Sequence, residues 1–160
     1  METKNVEMGS IMAFCVKSLK DIASNIKIYE KSVPANFVSP SLYFPQPSVS
    51  GASASLSSFK NICVWNIKVF DSDKAKAFQI AEAIRRAFYS KKLIIPVVKA
   101  EDGAESGFFI RLKSVDIRDG DEFSKSLIIN WDSYERYHTE TKAVLSDDNP
   151  LQINGGLKND

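Results

Sequence analysis

Residues 59–70 place the strongest constraint on the fold, because the polarity of their side chains alternates from one residue to the next. The apolar positions are Cys63, Trp65, Ile67 and Val69. Asn66 and Lys68 fall between them and would point to the opposite side. A period of two residues is typical of a β-strand that buries one face of a sheet. We therefore predict a strand here, with helices covering its apolar face.

Two segments carry apolar residues at the three- and four-residue steps of an amphipathic helix. In residues 7–24 these are Met8, Ile11, Met12, Cys15, Leu19 and Ile22. In the second segment, expected to run to about Tyr89, they are Ala77, Ile80, Ala81, Ile84, Ala87 and Phe88. Asp71-Ser-Asp73 supplies an N-cap for the second helix, and the spacing of Glu82 and Arg86 suits an exposed ion pair.

Shorter stretches predict the remaining strands. They are residues 26–29, 42–44, 93–98, 108–117 and 123–131. Asp119-Gly120 lies between the last two and is typical of a tight hairpin turn. Prolines around 42–44 and within 93–98 favour edge strands, because proline cannot donate to a ladder. Together, these predicted helices and strands indicate an α+β fold, with a mostly antiparallel or mixed sheet of about five to six strands and both amphipathic helices packed on one face.

A single α+β domain is expected over residues 1–138, since a chain of 160 residues can bury one core without metals or disulfides. Residues 46–58 are rich in serine and follow several prolines, so a flexible loop is expected there. Residues 139–160 are polar and contain Gly155-Gly156, and a flexible C-terminal tail is expected.

Charge and apolar run lengths restrict the classes of partner. A formal net charge of +1 provides no basic field that would hold nucleic acid or an anionic membrane. The N-terminal residues do not form the pattern of a signal peptide, and no run of about 20 apolar residues predicts a membrane span. Cys15 and Cys63 lack CxxC spacing and fall on apolar positions, so we expect reduced core cysteines in an intracellular protein.

The sequence carries no recognisable motif for catalysis or metal binding. The only histidine, His138, has neither cysteine near it in sequence, whereas structural zinc normally takes four clustered ligands. An acidic group at the predicted hairpin tip, without the spacing of a calcium loop, comprises Asp116, Asp119, Asp121 and Glu122. Gly103 and Gly107 precede a strand rather than opening a helix, so they do not form a phosphate loop. We therefore predict a protein that is not an enzyme and has no cofactor or metal.

The order of these segments resembles the tail terminator proteins of long-tailed bacteriophages, also called tail completion or head-tail joining proteins. The resemblance lies in three segments. The first is residues 29–44, which contain Val-Pro-Ala-Asn-Phe and Pro-Ser-Leu-Tyr-Phe. The second is Phe70-Asp71 before the helix at 75–88, and the third is 111–115 paired across Asp119-Gly120 with 127–131. It covers residues 7–138. The 46–58 segment and the tail after His138 depart from the compact pattern of that family.

This resemblance implies a structural virion subunit of the tail or neck, assembled in the host cytoplasm. Such a subunit forms a homo-oligomeric ring, expected to be hexameric, which caps the head-proximal end of the tail tube and ends tube polymerisation. The implied partners are the tail tube protein, the head-tail connector or neck protein and, where one exists, a sheath. DNA would pass through the lumen without specific binding, and a near-neutral chain suits that passage. No membrane partner is implied.

Eight residues are candidates for contacts in such an assembly. They are Ser50, Gly51 and Ser53 in the 46–58 segment, Glu101 and Asp102 in the turn at 100–107, and the aromatic residues Trp131, Tyr134 and Tyr137. Segments that order on binding and large rigid rings both supply interface energy. Trp131 fits a core position equally well.

Three other interpretations stay open. Another phage neck or head-closure subunit, or a tail tube protein, belongs to the same class and differs in its partners. A divalent-metal enzyme would use Asp116, Asp119 and Glu122, and calorimetry with magnesium or manganese would detect it. A module that binds a small ligand would show a ligand-dependent rise in melting temperature.

Overall fold

Two helices and seven strands make up residues 2–138, the part of the chain that a computed structural model describes, with side chains described from residue 6 onward. The elements are α1 (Glu2–Ser18), β1 (Lys27–Tyr29), β2 (Ser41–Tyr43), β3 (Ser48–Ser53), β4 (Ser58–Phe70), α2 (Lys74–Ser90), β5 (Ile94–Val98), β6 (Glu105–Asp119) and β7 (Ser124–Arg136). Neither helix in this range is long and apolar enough to cross a bilayer. The predicted tail at 139–160 lies outside the described residues.

The strands form one mixed sheet in the order β1-β2-β4-β7-β6-β5, with β3 paired to β4 beside this path. Only β1 and β2 are parallel among the described pairs. The long strand β4 therefore has two partners along one edge: β2 pairs with its residues 68–70 and β3 with its residues 59–64. The predicted α+β class, with two helices and a mostly antiparallel sheet, is confirmed.

The predicted alternation of β4 is confirmed and forms the centre of the core. All four of its predicted apolar positions are buried. The register with β7 places Cys63 opposite Trp131 and Trp65 opposite Ile129, so the apolar faces of the two strands coincide. Both helices contribute buried residues to this same cluster, and the rings of Phe14 in α1 and Phe88 in α2 lie 4.5 Å apart.

The second helix begins and ends close to the predicted residues. Asp73 is its N-cap and accepts a hydrogen bond from the backbone N–H of Ala75, which satisfies one of the exposed donors of the first turn. The predicted ion pair is present, with Nε of Arg86 2.8 Å from Oε1 of Glu82. Five of the six predicted apolar positions are fully buried, and the sixth, Ala87, is half-buried.

The first helix is shorter at its C-terminal end than predicted. It ends at Ser18 instead of continuing to residue 24. The hydroxyl of Ser18 donates to the carbonyl of Phe14, and Leu19 N–H bonds to Val16 O, a tighter i to i−3 contact that closes the helix. Leu19 is still buried, but Ile22 lies beyond the helix and is 58% exposed, so its assignment to the apolar face was wrong.

The serine-rich segment is a strand rather than the predicted flexible loop. Residues 48–53 form β3 and pair antiparallel with β4, from Ser48 opposite Val64 to Ser53 opposite Phe59. Serine, glycine and alanine lack the apolar alternation that predicts a strand, but the free edge of β4 offers their backbone a complete ladder. The backbone pairing with β4 therefore determines that this segment is a strand, although its composition predicts a loop.

The Asp119-Gly120 turn joins β6 to β7 as predicted, and it leaves no room for a side chain at Gly120. A Cβ at this position would lie 2.3 Å from Oγ of Ser124 and 2.9 Å from its carbonyl oxygen. We expect Gly120→Ala to lower the free energy of unfolding by about 1–2 kcal/mol, because the turn must shift to relieve this contact. Urea denaturation measures the loss. Gly51→Ala is the control, since a Cβ at Gly51 meets nothing within 4 Å; equal stability losses for the two variants would contradict the steric explanation.

Both cysteines lie in the core and form no disulfide. Burial raises the pKa of the Cys15 thiol well above its ordinary value, because the thiolate would be cut off from water. Cys15 is therefore a protonated packing residue at neutral pH, as expected from its apolar position.

Candidate assembly interface

The outer edge of β3 is a strand edge with no partner strand among the described residues. Ala54 N–H bonds to Ser58 O, so the even-numbered residues of β3 face β4, and Val49, Gly51 and Ser53 direct their backbone groups outward. Three of the predicted contact residues, Ser50, Gly51 and Ser53, are all exposed here. Proline and charged side chains usually block pairing at a strand edge, and this strand contains neither. It can accept a strand from another chain.

The hairpin tip between β3 and β4 is ordered by its own serines. Ser55 N–H bonds to Ser58 O, and the hydroxyls of these two serines are 2.7 Å apart. Leu56 stands at the tip with its side chain fully exposed. An exposed leucine on a hydrogen-bonded turn is a preformed apolar contact point that composition alone did not indicate.

The turn at 100–107 is also hydrogen-bonded. Lys99 N–H bonds to Ala104 O at 2.8 Å, and Ala104 N–H bonds to the carboxylate of Asp102 at 3.0 Å. Gly103 has φ +68°, a conformation that favours glycine. The predicted contact residues Glu101 and Asp102 are exposed on this turn. The turn joins β5 to β6, and β7 and β4 lie between β6 and the β3 hairpin in the sheet, so the two surface regions are separate.

The three predicted aromatic contacts have different environments. Trp131 is a core residue, 1% exposed, and its indole N–H donates to Oε2 of Glu7 at 3.0 Å. It is therefore closed to surface contacts. Tyr134 is 66% exposed, and Tyr137 is partly exposed with its ring 5.4 Å from that of Phe59. The two tyrosines lie near the end of β7 and remain surface candidates.

Strands β6 and β7 separate from one another beyond a bulge at Lys113, and we call the resulting gap the fork. Their ladder runs from Asp119 opposite Lys125 to Leu112 opposite Trp131 and stops there. Past this point, among the strands that the structure describes, β7 residues 132–136 pair only with β4, and β6 residues 105–111 pair only with β5. The fork thus exposes two strand edges that face each other. Nothing in the sequence pattern of either strand indicated it.

A cleft of about 680 Å³ occupies the fork. Its walls are residues 109–113 of β6 and 132–134 of β7, with Glu7 of α1 at one side. Phe109 and Tyr134 are each 66% exposed at this cleft. Asp132 pairs with Lys113 at 3.4 Å and with Lys60 at 3.5 Å, so these lysines share one carboxylate beside the cleft.

A second cleft, of about 520 Å³, lies between α1 and the β5–β6 edge. Its floor is apolar, with Phe14, Pro96 and Phe109, and Lys17 and Lys91 stand at its rim. It is the place where a small ligand would bind under the ligand-module interpretation.

One acidic residue at the β6–β7 tip, Asp119, contacts two lysines. Asp119 bonds to Nζ of Lys125 and lies 3.8 Å from Nζ of Lys74. Within residues 6–138, whose side chains are described, there is no group of three or more His, Cys, Asp or Glu side chains with the proximity a metal ion requires. Asp119 therefore forms ion pairs beside the turn, with Lys125 of β7 and Lys74 of α2.

The Lys125 contact also sets the acidity of Asp119. The hydrogen bond and the charge of Lys125 hold the pKa of Asp119 below its ordinary value. We expect Lys125→Met to raise this pKa towards the ordinary value, which NMR titration of the carboxyl carbon measures. Because the folded pKa is depressed, the contact stabilises the protein above the unfolded pKa, and this stabilisation is lost as the pH falls through the folded pKa. An unchanged titration in Lys125→Met would contradict this assignment.

Comparison with known proteins identifies two relatives in Bacillus subtilis, one of which is a protein of a phage-like element. No family model matches the chain. Phage-like element PBSX protein XkdJ of Bacillus subtilis is 33% identical over 154 residues, which span 96% of this chain and 99% of XkdJ. The protein YqbJ of the same organism is 35% identical over 141 residues, or 88% of this chain and 92% of YqbJ. Among solved structures, a chain of the virion of a native gene transfer agent particle aligns with a TM-score of 0.48 and 11% identity, covering 86% of this chain and 99% of that chain.

The two Bacillus proteins match this chain over nearly their whole lengths, so the relation extends across the entire fold and beyond any single motif. It confirms the predicted resemblance to a protein family of phage origin. The chain belongs to the family of the PBSX phage-like element protein XkdJ and its relative YqbJ.

Proposed function

We propose that this protein is a structural subunit of a phage tail, and specifically a tail terminator that forms a ring on the head-proximal end of the tail tube. The observation that carries the proposal is the full-length relation to a protein of a phage-like element. The order of helices and strands that resembles tail terminators is retained in the fold. Tail tube protein, the connector or neck protein and a sheath where one exists are the proposed partners, in the virion.

A ring requires two different patches on each subunit that fit one another, because its contacts are heterologous. The β3 edge with Leu56 provides one candidate patch. The aromatic surface around the fork, with Tyr134 and Phe109, provides another on the far side of β4 and β7. Two separate patches on one sheet are the arrangement that a closed ring needs.

The charge distribution is compatible with a lumen that passes DNA. The formal net charge is +1, and Lys60 and Lys113 share Asp132. Lysines paired with a carboxylate are less available to phosphate groups, which bind clustered free cations. DNA would therefore slide through without being held.

The test is light scattering of the purified chain across concentration, with negative-stain microscopy of the same samples and of mixtures with the cognate tail tube protein. Closed rings that sit on tube ends and shorten the tubes are the expected result. Extended tubes formed by the chain alone would favour the tail tube interpretation, and rings that bind a connector but not tubes would favour a neck subunit. A strict monomer that leaves tube length unchanged would overturn the proposal.

A further inference from the structure

The cleft between α1 and the β5–β6 edge, called the α1 cleft below, is apolar at its floor and basic at its rim. Its floor carries two aromatic rings, those of Phe14 and Phe109, and its volume is about 520 Å³. Lys17 and Lys91 line it together with one acidic residue, Glu105, so the lining has an excess of one positive charge. Neither lysine forms an ion pair with any of the described side chains. Such a cleft suits an apolar side chain that is accompanied by carboxylates.

Contacts inside the protein fix the walls of the α1 cleft. Val98 N–H donates to Oγ of Ser10 at 3.0 Å, which ties α1 to β5. The rings of Phe14 and Phe88 lie 4.5 Å apart and tie α1 to α2. Because the cleft is already formed in the single chain, filling it requires little further ordering of the protein.

The β6–β7 tip carries side chains that complement this cleft. Phe123 is 48% exposed at the tip, and the exposed residues Asp121 and Glu122 directly precede it. Neither of these two carboxylates forms an ion pair with any of the described side chains. The tip is held against the end of β4, because Asp71 N–H bonds to Phe123 O at 3.2 Å. An aromatic ring and two carboxylates are thus presented together at a fixed place.

The tip and the α1 cleft lie at opposite ends of α2. At the first residue of this helix, Nζ of Lys74 is 3.8 Å from Asp119 beside the tip. Lys91, which follows the last residue of the helix, lines the cleft. A helix of 17 residues is about 25 Å long, so a tip does not reach the cleft of its own chain. A contact between these two surfaces therefore joins two copies of the protein.

We propose that the β6–β7 tip of one copy docks in the α1 cleft of a second copy. Phe123 would enter the cleft, and Asp121 and Glu122 would lie beside Lys17 and Lys91. Because the tip and the cleft are different surfaces, the contact is heterologous and repeats from copy to copy until a ring closes. The inference rests on the proposed ring and names residues that join its subunits. It uses neither the β3 edge nor the β3–β4 hairpin.

Charge reversal on each side tests the contact in the full-length protein. Asp121→Lys/Glu122→Lys and Lys17→Glu/Lys91→Glu should each weaken self-association at least about tenfold, because like charges would face each other. Light scattering across concentration measures the shift. A chain with all four substitutions should regain association, since its reversed tip would meet a reversed cleft.

A mixture of the two reversed variants tests the direction of the contact. Each unlike pair retains one native tip and one native cleft, so an equal mixture should give dimers and nothing larger. Lys20→Glu/Lys31→Glu is the matched control for the reversed cleft. It makes the same change in net charge at two exposed lysines that do not line the cleft, and it should associate like the unaltered protein.

Three results would overturn the contact: reversed variants that associate like the control, a mixture that stays monomeric, or an unaltered chain that does not self-associate. Tube capping separates this inference from the proposed function. If both reversed variants still form rings that cap tubes, the contact is wrong and the terminator role stands. If copies associate through the tip and the cleft but leave tube length unchanged, the contact stands and the terminator role is wrong.

Discussion

Replacing Trp65 with alanine is expected to lower the free energy of unfolding by about 3–5 kcal/mol, the range for removal of a buried tryptophan. Trp65 is fully buried at the centre of β4, and its ring packs against Phe44 at 5.5 Å and Trp131 at 6.2 Å. Its indole N–H also donates to Pro45 O at 2.6 Å, so the substitution leaves a cavity and a carbonyl without its donor.

Urea denaturation of the unaltered protein and of Trp65→Ala measures this loss of stability. Phe108→Ala is the matched control, because Phe108 is 73% exposed and its truncation should change stability by less than about 0.5 kcal/mol. Trp65→Phe separates the two contributions, since it keeps a ring in the core but removes the donor to Pro45. A Trp65→Ala loss below about 1 kcal/mol would mean that the core does not centre on β4.

Gly51→Pro is expected to weaken self-association of the proposed ring roughly 10- to 100-fold while leaving the fold intact. Gly51 directs its N–H outward from β3, so proline removes a donor that a neighbouring strand would use and costs no bond to β4. The proline ring would also stand in the path of an incoming strand. Light scattering across concentration measures the shift in the association midpoint.

Gly51→Ala is the control for this substitution, because it keeps the N–H and its Cβ meets nothing within 4 Å. Its association midpoint should equal that of the unaltered protein. If Gly51→Pro associates as well as Gly51→Ala, the β3 edge is not a contact of the assembly.

The parts of the fold that could be predicted are those in which side-chain pattern and burial agree. Trp65 and Ile67 alternate with polar residues because β4 has one covered face, and this alternation is visible in the chain itself. Asp73 marks the start of α2 because its carboxylate has no better local partner than the first-turn amides. Both patterns depend on residues that are close in sequence, and the structure of these segments in the folded sheet agrees with them.

The parts that could not be predicted depend on what a segment meets elsewhere. β3 consists mostly of serine, glycine and alanine and becomes a strand because β4 offers it an edge. Residues 19–24 continue the apolar spacing of α1, yet the helix closes at Ser18 through a side-chain bond. In both cases a contact outside the local pattern decides the structure.

The candidate site was predicted unevenly for the same reason. The exposure of Ser50, Gly51 and Ser53 follows from their polar character, and the strand edge they form does not. Trp131 is in the core because it continues the alternation of Leu127 and Ile129 across from β4. The fork results from the end of a ladder between two strands that are each well paired on their other side, and a single strand's sequence carries no sign of it.

Helix α1 has a consequence for how the protein avoids amyloid-like growth. Ser10 of α1 accepts the N–H of Val98, so the helix lies against the outer edge of β5 and uses one of its donors. Cross-β fibres extend because every molecule offers a long free edge at each end of its sheet. At the β5 end that edge is obstructed, while at the other end β1 is only three residues long. Open-ended stacking of sheets through these two ends is thereby discouraged.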